Sequence, residues 1–396
     1  MSRTAAPTSR RRPAPTPAGT STFALLAALV AVLSTIGLVM VLSASSVQAF
    51  EETDSTWTYF VRHALYVAVG TAALVAAMRV DYRRWRRVAV PLLGLSWLLL
   101  VAVLVPGVGI EVNGAGRWVG SGAVRFQPAE LVKLAALLFA ADLLTRRADR
   151  MAEERVTLRP VLTVLIVTSG LMLLQPDLGS TLVIGAIVVA VLFVAGVPLL
   201  RLSAVVAAGG AAAVVLALRA PYRRRRILAF LDPSADPGNV GYHINQSLMG
   251  VASGGLLGVG LGASRAKYGF LPNAHTDFIF AIIAEELGLV GGLAVVACFV
   301  GFAVLGTKVA IAAPDRFGTL VAAGITAWVV VQAFVNIGGV IGILPITGVT
   351  LPFISYGGSS ILLVMASCGI LLNIARQGRG LARRSPAHPA ERAARH

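Results

Sequence analysis

Asp277 is the residue whose type and position most suggest chemistry. It lies in the segment His275–Phe280, where a long polar loop rejoins an otherwise apolar chain. A carboxylate at the edge of hydrocarbon is costly, so a functional role is its default explanation when a partner or substrate can be named. Asp277 is therefore the candidate catalytic residue.

Glu130 and Lys133 form a second candidate constellation. Pro128 suits the first turn of a helix, where its missing N–H costs nothing. Glu130 and Lys133 then lie three residues apart on one helical face, within reach of each other. Pairing makes buried charge tolerable, whether the pair stabilises the helix bundle or serves a site. The sequence leaves both roles open. It predicts that loss of one partner leaves the other charge buried without a counter-ion.

Basic residues cluster in the longest polar loop, which contains Arg223–Arg226, Arg265 and Lys267. Such a cluster binds anionic lipid head groups without further specificity. It also suits a phosphate-bearing substrate, because arginine pairs with phosphate bidentately. The cluster alone does not discriminate between these two uses.

The composition sets the class of protein that must position these residues. Hydrophobic residues make up 57% of the 396 residues, charged residues only 13%, and the mean hydropathy is +0.80. This is far too apolar for a soluble protein of this size. The net charge of +16 arises from basic residues that mostly flank apolar runs, which indicates membrane topology rather than nucleic-acid binding. The sequence therefore predicts an all-α, polytopic integral membrane protein.

Apolar runs of spanning length, about 17–25 residues, predict about ten transmembrane helices. Arginine-rich loops at residues 83–87 and 146–155 alternate with acidic or neutral loops, which places both termini in the cytoplasm. We expect a basic disordered tail over 1–21, a transmembrane region over 22–375 with a large extracytoplasmic loop at 220–276 between helices 7 and 8, and a basic tail over 376–396. The predicted helices lie near Thr22–Ser43, Tyr59–Arg79, Val88–Val105, Pro128–Thr145, Arg159–Leu174, Gly179–Gly196, Leu202–Arg219, Leu287–Leu305, Phe317–Ile341 and Tyr356–Ile374.

Three segments interrupt this pattern of apolar runs. Gly254–Gly262 lacks the strand and the Gly-Lys-Ser/Thr of a nucleotide-binding loop, so we expect it to serve close packing. Asp277–Glu286 precedes the predicted eighth helix and is expected to be interfacial or re-entrant. Pro345–Ser360 follows a helix that carries Gln332 and Asn336 four residues apart. Segments interrupted by proline and glycine between apolar helices occur in transporters, so this pattern alone does not exclude a carrier.

A set of segments follows one another in a specific order along the chain: Asn113–Trp118, Phe126–Lys133, Gln175–Gly179, Phe230–Pro233, Gly260–Ser264, Leu271–Phe280, Glu285–Gly288 and Leu351–Ser360. Because of this order, the chain from Val41 to Asn373 resembles the SEDS family (shape, elongation, division and sporulation), which comprises FtsW, RodA and SpoVE. Two departures are His243, where relatives usually have glutamine, and Ala284, where they usually have glycine. Neither change removes a proposed catalytic group.

The resemblance implies a peptidoglycan glycosyltransferase that polymerises lipid II at the outer face of the plasma membrane. Asp277 would be the catalytic carboxylate, acting as general base towards a sugar hydroxyl. Glu130 and Lys133 would be the supporting ion pair. Basic side chains, or a divalent cation (Mg²⁺ or Mn²⁺), would stabilise the departing pyrophosphate. No metal ligand is identified in the sequence, and the expected substrate-binding residues are Arg117, Trp118, Gln127, His275, Arg265, Lys267 and Ser355.

The resemblance also implies partners. These are a class B penicillin-binding protein transpeptidase, other divisome proteins and membrane lipids, and they include no nucleic acid. The sequences of Ser43–Ser46 and Pro352–Ser360 resemble the division branch of the family more than the elongation branch, which implies a location at the septum. An elongation or sporulation paralogue with the same chemistry, a lipid II flippase and a recruiting scaffold remain as alternatives.

Overall fold

The computed structural model describes residues 18–112, 115–121, 124–151, 153–219, 221–232 and 240–384. Within this part of the chain, the backbone forms twelve α-helices, one small sheet, and 3₁₀ turns at Tyr82–Arg84 and Ala148–Arg150. The helices are α1 (Ala18–Thr53), α2 (Thr58–Arg79), α3 (Trp85–Val103), α4 (Pro128–Arg146), α5 (Leu158–Leu174), α6 (Leu178–Val194), α7 (Leu199–Arg219), α8 (Pro221–Leu231), α9 (Val240–Ser253), α10 (Ile279–Ile311), α11 (Arg316–Val340) and α12 (Gly358–Arg384).

The predicted all-α, polytopic class is confirmed. Ten of the helices coincide with the ten predicted apolar runs in the same order. Seven of these are long and apolar enough to cross a membrane, and α5 and α6 are shorter apolar helices. Helix α4 is also short, and it carries charged residues at both ends of its 19 residues. Most of the predicted tail at 1–21 and the end of the tail at 376–396 lie outside the described residues, although α12 continues to Arg384.

The large loop predicted at 220–276 is more structured than its composition suggested. It contains α8 and α9, with residues 233–239 between them outside the described part. A second difference is a three-stranded antiparallel sheet in the loop between α3 and α4, which the sequence analysis did not predict. Its strands, β1 (Gly109–Val112), β2 (Ala115–Ser121) and β3 (Val124–Phe126), are too short and too rich in glycine to show a clear alternation.

Helices α4, α11 and α12 occupy the centre of the bundle. In the apolar window of α12, 78% of residues are buried, against 6% in α7, so α7 lies at the periphery. A Cβ atom added to Gly324 on α11 would lie 2.0 Å from Leu137 Cδ1 on α4. The two central helices therefore pack as closely as their backbones allow, as small residues permit in membrane bundles.

Helix α10 is broken at Gly288, which has φ 69° and ψ −167°. The break frees carbonyl and N–H groups on both sides, and segment 254–262 satisfies them. The amides of Val259 and Gly260 donate to the carbonyls of Glu285 and Glu286, and the amides of Leu289 and Val290 donate to the carbonyls of residues 255 and 256. This is how non-helical backbone is tolerated at membrane depth.

The glycines of segment 254–262 are required by this close approach. A Cβ atom on Gly258 would lie 2.2 Å from the Glu286 carbonyl oxygen, and one on Gly254 would lie 2.0 Å from the Ala284 carbonyl oxygen. The segment thus serves close packing, as expected from the sequence. The segment Asp277–Glu286 is helical from Ile279, and the break at Gly288 separates it from the rest of α10.

Contacts among the loops agree with the predicted alternation of sides. At one end, Arg83 Nε lies 2.8 Å from Asp315 Oδ2, and Arg86 Nε lies 2.8 Å from Asp142 Oδ1. At the other end, Arg117 donates to the Gln175 carbonyl. We call this second end, which carries Asp277 and which the charge pattern predicts to be extracytoplasmic, the outer end.

Candidate catalytic site at the outer end

A tight turn presents Asp277 immediately before α10. Asn273 adopts a left-handed conformation (φ 57°), and its carbonyl accepts hydrogen bonds from the amides of Thr276 and Phe278. The Asp277 side chain is half-buried. Among the described residues, no group donates a hydrogen bond to its carboxylate, so both oxygens are available to a ligand.

The turn is held by three consecutive carbonyl groups, those of His275–Asp277. The amide of Tyr356 donates to the first at 3.0 Å. The hydroxyl of Ser355 donates to the second at 2.6 Å, and Asn336 Nδ2 donates to the third at 2.8 Å. Ser355, expected to bind substrate, supports the turn that bears Asp277 in this structure.

Asn336 joins the turn to the segment between α11 and α12. Its Nδ2 also donates to the Val349 carbonyl at 2.7 Å. In the same segment, a Cβ atom on Gly348 would lie 3.5 Å from Asp277 Oδ2, and the φ of Gly348 is 73°. Glycine is suited to this left-handed position. The backbone at residue 348 therefore lies directly against the carboxylate.

The predicted ion pair between Glu130 and Lys133 is formed. Lys133 Nζ lies 2.6 Å from Glu130 Oε1, and both side chains are buried. The same ammonium group donates to Gln332 Oε1 at 2.9 Å, which also accepts from Trp328 Nε1 at 2.8 Å. Gln332 Nε2 donates to the Thr350 carbonyl at 3.0 Å. The pair thus supports the segment that lies against Asp277.

Charged side chains on three elements act on the Asp277 carboxylate. Burial raises its pKa above the usual range. The positive charges of Arg226 on α8 and Arg117 on β2 oppose this shift, whereas the negative charge of Asp177 adds to it. Asp177 caps α6 by accepting a hydrogen bond from the Ser180 amide at 3.0 Å.

Arg117 and Gln127 hold the turn that bears Asp177. Arg117 donates to the carbonyls of Gln175 and Pro176. Gln127 Nε2 lies 3.5 Å from Asp177 Oδ2. Trp118 is half-buried in β2, where it pairs with residue 110 of β1. The structure therefore brings Arg117 and Gln127 to the site, and it places Trp118 in the adjoining sheet.

Arg265 and Lys267 contact the two glutamates that precede the break in α10. Arg265 is exposed, and its amide donates to Glu285 Oε1 at 2.9 Å. Lys267 is buried, and its Nζ lies 3.5 Å from Glu286 Oε1 and 3.4 Å from Ser43 Oγ. Neither residue is among the charges that act on Asp277. The two glutamates serve as structural partners of this loop.

His275 is a packing residue in this structure. Its ring lies 4.7 Å from the Tyr59 ring and 5.5 Å from the Tyr356 ring, measured between centroids. Burial lowers the pKa of His275 to about 4, which keeps the imidazole neutral at physiological pH. It therefore adds no positive charge for a phosphate.

Two cavities adjoin the site, and Arg226 lines both. The first is an apolar groove of about 570 Å³ between α6, α7, α8 and α11, lined by side chains such as Leu182, Val214 and Phe334. The second is a polar cavity of about 730 Å³ between α1, α8, α9 and the loop before Asp277. Arg226 thus stands between a space suited to hydrocarbon and a space suited to a polar group.

The separate importance of Arg226 and Asp177 was not predicted from the sequence. Arg226 was one of four consecutive arginines, and nothing in the sequence marks which of them faces the carboxylate. Asp177 was visible only within the segment Gln175–Gly179. Gln332 and Asn336 gave a usable signal, because two amides four residues apart on an apolar helix share one face.

Replacing Lys133 by methionine tests the buried ion pair. Lys133→Met leaves Glu130 buried without its counter-ion, so we expect the free energy of unfolding to fall by about 3–5 kcal/mol. The double variant Glu130→Leu/Lys133→Met removes both charges and should recover most of the loss. Thermal unfolding in detergent measures both effects, and a double variant as unstable as the single one would contradict this account.

The chain matches the family model described as "Cell cycle protein", FtsW/RodA/SpoVE, over residues 23–380. It is 41% identical over 360 residues to stage V sporulation protein E of Bacillus subtilis, with 91% of this chain and 98% of that protein covered. It is 42% identical over 356 residues to a probable peptidoglycan glycosyltransferase FtsW of Mycobacterium tuberculosis, with 90% and 68% covered.

Solved structures show the same likeness. A chain from a structure described as "Structural coordination of polymerization and crosslinking by a peptidoglycan synthase complex" aligns with a TM-score of 0.74 and 33% identity, covering 89% of this chain and 97% of that one. The rod shape determining protein RodA of Thermus thermophilus aligns with a TM-score of 0.66 and 31% identity, covering 89% and 96%. The chain belongs to the FtsW/RodA/SpoVE family of SEDS membrane proteins.

Proposed function

We propose that this chain is a peptidoglycan glycosyltransferase that polymerises lipid II at the outer face of the plasma membrane. The observation that carries the proposal is the setting of Asp277. Its carboxylate has no hydrogen-bond donor among the described residues. It interacts electrostatically with Arg226 and Arg117 and lies beside an apolar groove. Relatives named peptidoglycan glycosyltransferase FtsW support the same activity.

The reaction joins two lipid-linked sugars. A hydroxyl oxygen of the acceptor sugar attacks the anomeric carbon of the donor, and the bond from that carbon to the pyrophosphate oxygen breaks. Asp277 takes the hydroxyl proton as general base, and its raised pKa makes it a stronger base than an exposed aspartate. The lipid pyrophosphate leaves as a stable anion, so it requires no separate general acid.

Arg226 and Arg117 supply the positive charge that the leaving group needs. Arginine binds phosphate oxygens bidentately, and fixed charges aimed at a developing anion are worth more in a partly dry site than in water. Arg226 Nη1 also donates to the Ile346 carbonyl at 3.2 Å. This hydrogen bond orients the guanidinium beside the segment between α11 and α12.

The apolar groove suits the lipid part of the substrate. Its lining from α6, α7 and α11 is almost entirely aliphatic and aromatic. A polyprenyl chain in this groove would place its pyrophosphate at Arg226, where the groove ends. The groove therefore provides the non-reacting contacts that orient the reacting carbon towards Asp277.

A divalent cation is the alternative to arginine as the source of positive charge. Within the described residues, no group of three His, Cys, Asp or Glu side chains is arranged to hold a metal ion. Asp277 and Asp177 would supply carboxylate oxygens of the kind that Mg²⁺ prefers, and phosphate oxygens of the substrate would complete its ligands. Such a cation would add positive charge at the leaving pyrophosphate.

We further propose that the protein works with a class B penicillin-binding protein transpeptidase, because newly polymerised strands must be cross-linked. Its structural neighbour from a peptidoglycan synthase complex supports this pairing. We assign the protein to the division septum together with other divisome proteins, on the strength of relatives named FtsW. The similarity to stage V sporulation protein E leaves a paralogue with the same chemistry as the alternative.

Polymerisation of lipid II by the purified protein with its cognate transpeptidase tests the function. The wild type should produce glycan polymer, and Asp277→Asn should produce none, because the amide keeps the shape of the side chain but cannot accept the proton. Arg155→Gln, at an exposed arginine in the loop between α4 and α5 at the opposite end of the bundle, is the control and should keep the wild-type rate. Equal polymer from wild type and Asp277→Asn would move the catalytic role elsewhere. No polymer from either, with the complex intact, would favour the flippase or the scaffold.

The pH dependence of kcat/KM tests the charges around Asp277. The base acts when deprotonated, so activity rises with pH through its pKa, and the raised pKa puts this acid limb above the usual aspartate range of about 3.9. Arg226→Gln removes a charge that favours the carboxylate, so the limb should move to higher pH. Asp177→Asn removes a repelling charge, so the limb should move to lower pH.

Arg155→Gln serves again as control and should leave the limb in place, since Arg155 is not among the charges that act on Asp277. Shifts of Arg226→Gln and Asp177→Asn in the same direction would contradict the assignment of Asp277 as the titrating base.

A further inference from the structure

The polar cavity next to the catalytic turn is lined by charges of both signs. Helix α8 contributes Arg225 and Arg226, and the outer end of α1 contributes Glu51 and Glu52. A ligand that carries only negative charge would be repelled by the two glutamates, and one that carries only positive charge would be repelled by the two arginines. The lining therefore favours a ligand with both kinds of charge.

The two glutamates differ in how their side chains are held. Glu52 accepts hydrogen bonds from Tyr59 Oη at 2.5 Å and from Gln48 Nε2 at 2.7 Å, which hold the side chain in place. Glu51 is exposed, and no hydrogen-bond or ion-pair partner for its carboxylate lies among the described residues.

The other polar residues of the lining contribute little net charge. Lys267 is paired with Glu286, as described above. Burial lowers the pKa of His243, so this ring is neutral as well. The lining therefore offers a ligand the positive charge of Arg225 and the negative charges of Glu51 and Glu52.

The cavity adjoins the turn that bears Asp277. Residues 271–274 line it and lead directly into the turn that bears Asp277. Arg226 lines the cavity on one side and the apolar groove on the other. A substrate with its lipid in the groove and its pyrophosphate at Arg226 would extend its polar head group into this cavity.

We propose that the cavity binds the stem peptide of the lipid-linked substrate. This inference rests on the proposed function. Peptide carboxylates would pair with Arg225, and the side-chain ammonium group of the peptide would pair with Glu51 and Glu52. The volume of about 730 Å³ lies within the range of sites that enclose a ligand of several residues. Glu51 and Glu52 are thus residues that select for a charged stem peptide.

The test compares two forms of lipid II, one with the side-chain amine of the stem peptide free and one with that amine acetylated. Polymerisation is measured with the cognate transpeptidase blocked by penicillin, so that cross-linking does not contribute. The wild type should use the free amine with a kcat/KM about tenfold higher, the value of one good charge-assisted hydrogen bond. The double variant Glu51→Gln/Glu52→Gln should use both forms equally.

The matched control is Glu153→Gln, an exposed glutamate in the loop between α4 and α5 at the other end of the bundle, which should keep the tenfold preference. If the double variant is poorly folded by thermal unfolding, the single variant Glu51→Gln takes its place and should show a smaller preference than the wild type. No preference in the wild type, or an unchanged preference in the folded variant, would overturn the proposal. A wild type that polymerises neither form would instead refute the proposed function.

Discussion

Three consecutive carbonyl groups fix the position of the Asp277 carboxylate, which we propose as the general base, and the outer end of the molecule is arranged around them. The carbonyls of His275–Asp277 accept hydrogen bonds from the amide of Tyr356, the hydroxyl of Ser355 and the amide of Asn336. Because the backbone of the turn is held in this way, the carboxylate itself needs no protein partner. A general base must be free to meet its substrate, and this arrangement keeps it both placed and free.

The polar network continues inward from these hydrogen bonds. Gln332, one turn from Asn336 on α11, connects the segment after α11 to the buried pair of Lys133 and Glu130. A buried ion pair is weak evidence for stability. Here Lys133 orients the side-chain amide of Gln332, which in turn donates a hydrogen bond to the Thr350 carbonyl. The break of α10 at Gly288 is also stabilised by hydrogen bonds, because segment 254–262 pairs with the backbone groups that the break frees.

Much of the fold could be predicted from the sequence, because membrane helices are specified by long apolar runs that need no tertiary information. Asp277 and the pair of Glu130 and Lys133 were predictable for a related reason, since polar groups stand out against hydrocarbon. The sheet over 109–126 and helices α8 and α9 were not predicted, because short elements in polar loops depend on packing rather than on a strong local pattern. Arg226 could not be distinguished from its arginine neighbours without the direction of each side chain. For Lys267 and Ser355, the sequence identified polar residues near the site, and the structure shows them bonded to the protein.

The most direct test of this account is the kinetic effect of removing the amide of Asn336. Asn336→Ala should lower the kcat of polymerisation about 10- to 100-fold with little change in KM, because a misplaced base slows the chemical step without removing substrate contacts. Gln377→Ala, at the far end of α12, is the matched loss of an amide and should leave kcat unchanged. A folded Asn336→Ala variant that retains the wild-type kcat would show that the three carbonyls do not position Asp277.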